Sequence, residues 1–240
     1  MAVFSLLLGL ASGFIGGIAT GGGLVSIPGL IFLGLSPSTA IATTILTISS
    51  SVSSAFRYRQ SGIIKRELTL PFLRLTFFGG IIGAMLLLNI DGRMMQRIFG
   101  GVCLGLAPLA AFRSASGISQ SRRYKGTVGP ALIFLTAIFA ALFGTGGGIF
   151  MVYILGSFYG LNITEANANA KIIGLAGAAP MIVIFLHAGI INFGAGIPLM
   201  LGSAIGGYIG AHTALKKGEG LVRYIFFTVV VASGIKLLFF

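Results

Sequence analysis

The apolar positions run in long blocks, not in alternation. Strongly apolar stretches cover residues 2–34, 38–56, 69–89, 96–112, 127–160, 165–187, 191–213 and 220–240. Most have the roughly 17–25 residues that a helix needs to cross a hydrocarbon core of ~30 Å. Ten-residue alternating strands, the mark of an outer-membrane barrel, do not occur. The pattern predicts an all-α polytopic membrane protein. Two stretches are too long for it: 2–34 and 127–160 would each make a helix of about 50 Å. Each carries the same quartet, Thr20-Gly21-Gly22-Gly23 and Thr145-Gly146-Gly147-Gly148. Each is expected to break at its glycines, as one tilted helix or as a re-entrant hairpin of two short ones.

The quartets belong to a longer series. Leu35 and Ala40 recur as Leu161 and Ala166, and Gly62-Ile63-Ile64 as Gly189-Ile190-Ile191. Pro71, Gly79, Gly80, Gly83 and Ala84 recur as Pro198, Gly206, Gly207, Gly210 and Ala211, and Arg97 as Arg223. Their order predicts an internal duplication. Residues 1–112 form a first repeat, 113–126 a basic linker and 127–240 a second repeat, together one integrated transport domain. In each repeat a Gly-broken segment precedes three transmembrane helices.

Charge bears on orientation. Only 8% of residues are charged, the net charge is +12, and mean hydropathy is +1.04. The basic residues gather between apolar blocks, which is topology and headgroup signal, not a nucleic-acid face. Arg57, Arg59, Lys65 and Arg66 place the 57–68 connection in the cytoplasm, and Arg113, Arg122, Arg123 and Lys125 place the linker there. Lys216, Lys217 and Arg223 join them only if the repeats are inverted, so the charges favour inversion. The N-terminus has no charged region and no cleavage site, and is expected to be retained.

The glycine quartets are the candidate chemistry. A helix broken at membrane depth exposes N–H groups that must meet protein, water or ligand. A helix starting just after the break aims its positive dipole end at the gap. Thr20 and Thr145 add hydroxyls at positions resembling N-caps. Matched interruptions in two repeats are also the sequence pointer to a transporter site. By contrast, the ridges Gly9/Gly13/Gly17/Gly21, Gly79/Gly83 and Gly202/Gly206/Gly210 read as helix packing, and a homodimer seam through them is left open.

The second helix of each half differs between halves. The first is rich in hydroxyls, of which Thr43, Thr44 and Thr47 are the chosen contacts. The second carries Asn167, Asn169 and Lys171. A lysine within an apolar run costs several kcal/mol at the midplane, so a role is expected. Three stay open for Lys171: binding an anion, snorkelling, or pairing with Glu165. Asn167, one turn earlier, is the companion that shares its face. Arg57 and Arg59 suggest either anchoring or an anion vestibule, and His187 either a capping group or a proton-linked one.

A break of this kind, a proline soon after it, then a short turn and an Ala/Thr/Ser-rich helix, duplicated over the chain, resembles the sulfite exporter TauE/SafE family, also called the toluene-sulfonate uptake permease family. The resemblance spans essentially the whole sequence. It implies a permease for a small sulfur-containing anion such as sulfite, thiosulfate or an organosulfonate, in a bacterial inner membrane. Alternating access between the repeats is the expected mechanism. A non-transporting membrane subunit, or a permease for an unrelated small anion, stays open. No P-loop, metal-ligand cluster or nucleophile–base pair is present, so no enzyme, metal or cofactor is expected. The expected partners are the anion and the lipid bilayer.

Overall fold

In a computed structural model the residues described are 1–90, 127–143, 147–217 and 224. Thr145, Gly146, the linker 113–126, the 96–112 stretch and nearly all of 220–240 lie outside them. The described residues form helices and no strands: α1 (Ala2–Ala19), α2 (Gly23–Phe32), α3 (Pro37–Thr44), α4 (Ile48–Gln60), α5 (Arg66–Asn89), α6 (Val128–Phe143), α7 (Gly148–Tyr159), α8 (Ile163–His187) and α9 (Phe193–Lys217). A 3-10 turn, Ile45–Thr47, joins α3 to α4. Five spans among the described residues are long and apolar enough to cross a membrane: α1, α3–α4, α5, α8 and α9.

Glycine decides which helices touch. A Cβ at Gly9, Gly13 or Gly17 would run into the backbone of Leu199, Ser203 or Gly207, and one at Gly202, Gly206 or Gly210 would meet Leu6, Leu10 or Phe14. The pairs advance together, so α1 and α9 run parallel in backbone-to-backbone contact. Small residues permit that approach, and dispersion then holds it without a hydrophobic drive in lipid. On α5, Gly79 and Gly83 receive α6 at Ala137 and Ala141 in the same way. These ridges therefore serve packing within one chain.

The same contacts show that both long segments fold back. Gly22 lies against Ser12 and Gly16, and Gly29 against Leu8, so α2 returns along α1. Gly147 lies against Ala140, and Gly129 against Tyr159, so α7 returns along α6. The first turn-back is sharp because Thr20 and Gly21 both hold positive φ, 50° and 142°, a region that only glycine enters without cost. Since α1 is parallel to α9 and α6 to α5, the two hairpins point in opposite directions.

The basic end of the bundle is coherent. Arg57 Nε donates to His212 Nδ1 at 3.2 Å, and the Lys65 ammonium pairs with Glu165 at 3.2 Å. Lys216 and Lys217 close α9 at that end, which the positive-inside rule assigns to the cytoplasm. Gly17 of α1 is level with Gly207 of α9. From there α9 runs on to Lys217, so the first break lies on the order of 10 Å inside the helix ends.

Candidate functional site

The two hairpin tips meet. A Cβ at Gly148 would strike the Thr20 methyl, and one at Gly21 would stand 3.4 Å from Ile149 Cδ1. Beside this junction is a cavity of about 100 Å³. Its wall takes Gly16, Thr20, Gly21 and Gly22 from the first break and Gly147 and Gly148 from the second. The 3-10 turn and the start of α4 add Thr47, Ser50 and Ser51, and α8 adds Lys171, Gly174 and Gly177. Thr76 of α5 and Thr136 of α6 complete its polar lining.

The first break has two electrically different ends. The C-terminus of α1 is closed by side chains from far along the chain. Gly16 O accepts from the Thr20 amide at 3.0 Å and from Lys171 Nζ at 2.6 Å. Gly17 O accepts from the Tyr58 hydroxyl at 2.7 Å and from Asn167 Nδ2 at 3.2 Å. Ile18 O accepts from Asn167 Nδ2 at 2.9 Å, and the Thr20 hydroxyl donates to Asn167 Oδ1. These donors neutralise the negative end of α1. At the N-terminus of α2 the Leu24 and Val25 amides close on Gly21 O and Gly22 O, while those of Gly21, Gly22 and Gly23 donate to no backbone carbonyl among the described residues. Covered acceptors beside the positive end of a helix bias the cavity toward an anionic occupant.

Lys171 reinforces that bias. It is 5% exposed, and its ammonium touches the Gly16 carbonyl. Snorkelling is thereby excluded. Pairing with Glu165 is excluded as well, because Glu165 is held by Lys65 and by the N-cap of α8, where Asn162 and Glu165 form a capping box. An ammonium has three donors, and Lys171 makes one hydrogen bond among the described residues while lining the cavity.

Several chosen residues stand elsewhere. Thr20 caps the end of α1 and does not N-cap α2, whose N-cap is Gly22. Asn167 is committed to the α1 carbonyls, so its four-residue spacing from Lys171 places both on one helix end and not both in the cavity. Thr43 accepts from the Asn192 amide at 2.9 Å and so pins the α8–α9 turn at the far end of the bundle. Thr44 bonds back to Ala40 O. Thr47 does line the cavity, with its proton on Thr44 O. Arg57 is occupied by His212, Arg59 is at the basic end, and His187 is the exposed last residue of α8.

Other lining residues were passed over in the sequence. Ser50 and Ser51 belong to the hydroxyl run, but density alone could not separate them from neighbours that bond back to their own helix, as Ser53 and Ser54 do. Only the 3-10 turn, which tightens the helix at the cavity wall, distinguishes them. Such a turn inside a helix often marks a hinge. Thr76 and Thr136 sit in apolar helices and gave no local signal. Tyr58 is wholly buried, with its hydroxyl on Gly17 O.

The family model described as sulfite exporter TauE/SafE matches residues 5–237. The chain belongs to the TauE/SafE sulfite exporter family. Its relatives include the probable membrane transporter protein YfcA of Escherichia coli (strain K12), 26% identical over 99% of this chain and 91% of the relative. A probable membrane transporter protein of Haemophilus influenzae (strain ATCC 51907 / DSM 11121 / KW20 / Rd) is 28% identical over 90% of this chain and 86% of its own length. Probable membrane transporter protein YunE of Bacillus subtilis (strain 168) is 24% identical over 99% and 97%. No solved structure matches. The family is one of multi-pass membrane transporters, not of enzymes, in keeping with the five apolar spans.

Proposed function

We propose that this protein is a secondary transporter for a small sulfur-containing oxyanion, working in a bacterial inner membrane. The observation that carries the reading is the asymmetry of the first break: the α1 carbonyls are covered, the Gly21, Gly22 and Gly23 amides meet no backbone carbonyl among the described residues, and Lys171 lines the same cavity. An anion in the cavity would take hydrogen bonds from the α2 N-terminus, the Ser50 and Ser51 hydroxyls and the two remaining Lys171 donors. The cavity volume of about 100 Å³ is well below the several hundred Å³ of pockets for drug-sized ligands. It favours sulfite or thiosulfate over an aromatic sulfonate.

Two oppositely directed hairpins that meet at their tips support alternating access. Movement of one half, read as an inverted repeat of the other, would carry the junction from one face of the membrane to the other. The 3-10 turn at Ile45–Thr47 is the natural place for α3–α4 to bend.

The test is thermal unfolding of purified protein with sulfite, thiosulfate, sulfate, sulfoacetate, acetate or chloride at fixed ionic strength, paired with flux into liposomes. A selective ligand raises apparent stability by mass action. We expect a shift with one small sulfur anion, saturable flux of it, and loss of both in Lys171→Ala while the protein stays folded. Equal shifts with every anion, or unchanged flux in Lys171→Ala, would reject this site.

A further inference from the structure

A second cavity, of about 460 Å³, opens at the basic end between the end of α4, the start of α5 and α8. Arg59, Arg66, Thr69, Leu70, Leu73 and Ile172 are among the residues that line it. Neither guanidinium makes a hydrogen bond or ion pair among the described residues. The nearest acid in sequence, Glu67, is exposed and does not line the groove. Arg66, Thr69, Leu70 and Leu73 are spaced three and four apart, so one face of α5 presents a cation followed by an apolar track. Leu70 is 61% exposed on that track, a position for contact with acyl chains.

We propose that this groove seats an anionic phospholipid of the cytoplasmic leaflet, its phosphate between Arg59 and Arg66 and an acyl chain along Leu70 and Leu73. Charge complementarity selects the headgroup: two unpaired guanidinium forks match phosphate oxygens, and basic pockets between spans on the cytoplasmic side are suited to such lipids. The apolar track selects a lipid over a free anion, which would have no use for it. Arg74 points the same way. It is exposed, one turn beyond Leu70, within a membrane-spanning helix, and snorkelling would take its guanidinium up to the same headgroup level. Ile172 of the groove adjoins Lys171 of the cavity, so the lipid would brace the α5–α8 contact behind the cavity wall. The inference does not depend on the transported solute.

The experiment is native mass spectrometry and thermal unfolding of the purified full chain, titrated with phosphatidylglycerol or phosphatidylcholine of matched acyl chains. Inorganic phosphate is the free-anion arm. We expect phosphatidylglycerol to bind at least tenfold more tightly than phosphatidylcholine. That preference should vanish in Arg59→Gln/Arg66→Gln and persist in Lys216→Gln/Lys217→Gln, which removes the same charge elsewhere at the basic end. Equal retention in the two double variants would overturn the proposal. So would displacement of the lipid by inorganic phosphate, which would make the groove a free-anion vestibule. If the first double variant does not fold, Arg59→Gln alone, at an exposed helix end, should weaken phosphatidylglycerol at least threefold; unchanged affinity there also overturns the idea.

Discussion

The seam between α1 and α9 and the wall of the cavity are both built with glycine, to opposite ends. At the seam, Gly13 faces the Ser203 backbone, so a Cβ would stand 2.8 Å from its carbonyl carbon. At the wall, a Cβ on Gly174 would meet nothing within 4 Å. The seam glycines let two backbones touch. The wall glycine keeps a volume empty, although alanine would suit its helix better. A glycine count cannot separate these roles. The neighbour opposite each glycine does.

That contrast can be broken most forcefully at the seam. Gly13→Val should separate α1 from α9 and cost about 3 kcal/mol or more, since the clash is with backbone and has no rotamer to relieve it. A large fall in the unfolding midpoint of purified protein checks this, and a near-native midpoint would mean that the seam is not tightly packed. Asn167→Ala comes next. It removes the donor to Ile18 O and the partner of the Thr20 hydroxyl, leaving buried groups unpaired at about 1–3 kcal/mol. Unfolding should register it, and a loss of transport with full stability would instead put Asn167 in contact with the solute.

Gly174→Ala is the sharpest probe of the wall. It should stabilise α8 by roughly 0.5–1 kcal/mol while narrowing the cavity, so the unfolding midpoint rises as liposome flux falls several-fold. Flux that survives the added methyl would place the solute path elsewhere. The smallest effect belongs to Glu165→Gln, which removes the Lys65 charge pair but keeps a side-chain acceptor for the cap of α8. A half-exposed pair of this kind contributes about 1 kcal/mol at most. Flux should change little unless the pair acts as a cytoplasmic clasp.

Much of the fold is legible in the sequence because its causes are local. Block length gives membrane spans, four-residue glycine spacing gives packing ridges, and a Thr-Gly-Gly-Gly run inside an apolar block gives a break. The fold-back of the first block was one of two readings, and two contacts, Gly22 on Gly16 and Gly29 on Leu8, decided it. The site was legible only in part. Gly21, Gly22, Thr47 and Lys171 were found by residue type, because glycine runs, hydroxyls and a buried lysine are conspicuous in an apolar chain. Thr43 and Thr44 were chosen for depth along one helix, but depth says nothing about azimuth. The 3-10 turn then rotates the helix just where azimuth matters.

The sequence by itself determined a helical membrane protein with two glycine-broken segments, a buried lysine and a basic end, since each follows from composition and spacing within one segment. Only the tertiary structure decided that the two breaks meet tip to tip. It also decided that Tyr58, Asn167 and Lys171 cover the end of α1. The physical reason is distance along the chain: a helix end leaves carbonyls and amides unpaired in every such sequence, but which of them receives a donor depends on side chains about 40 to 150 residues away that only packing brings near.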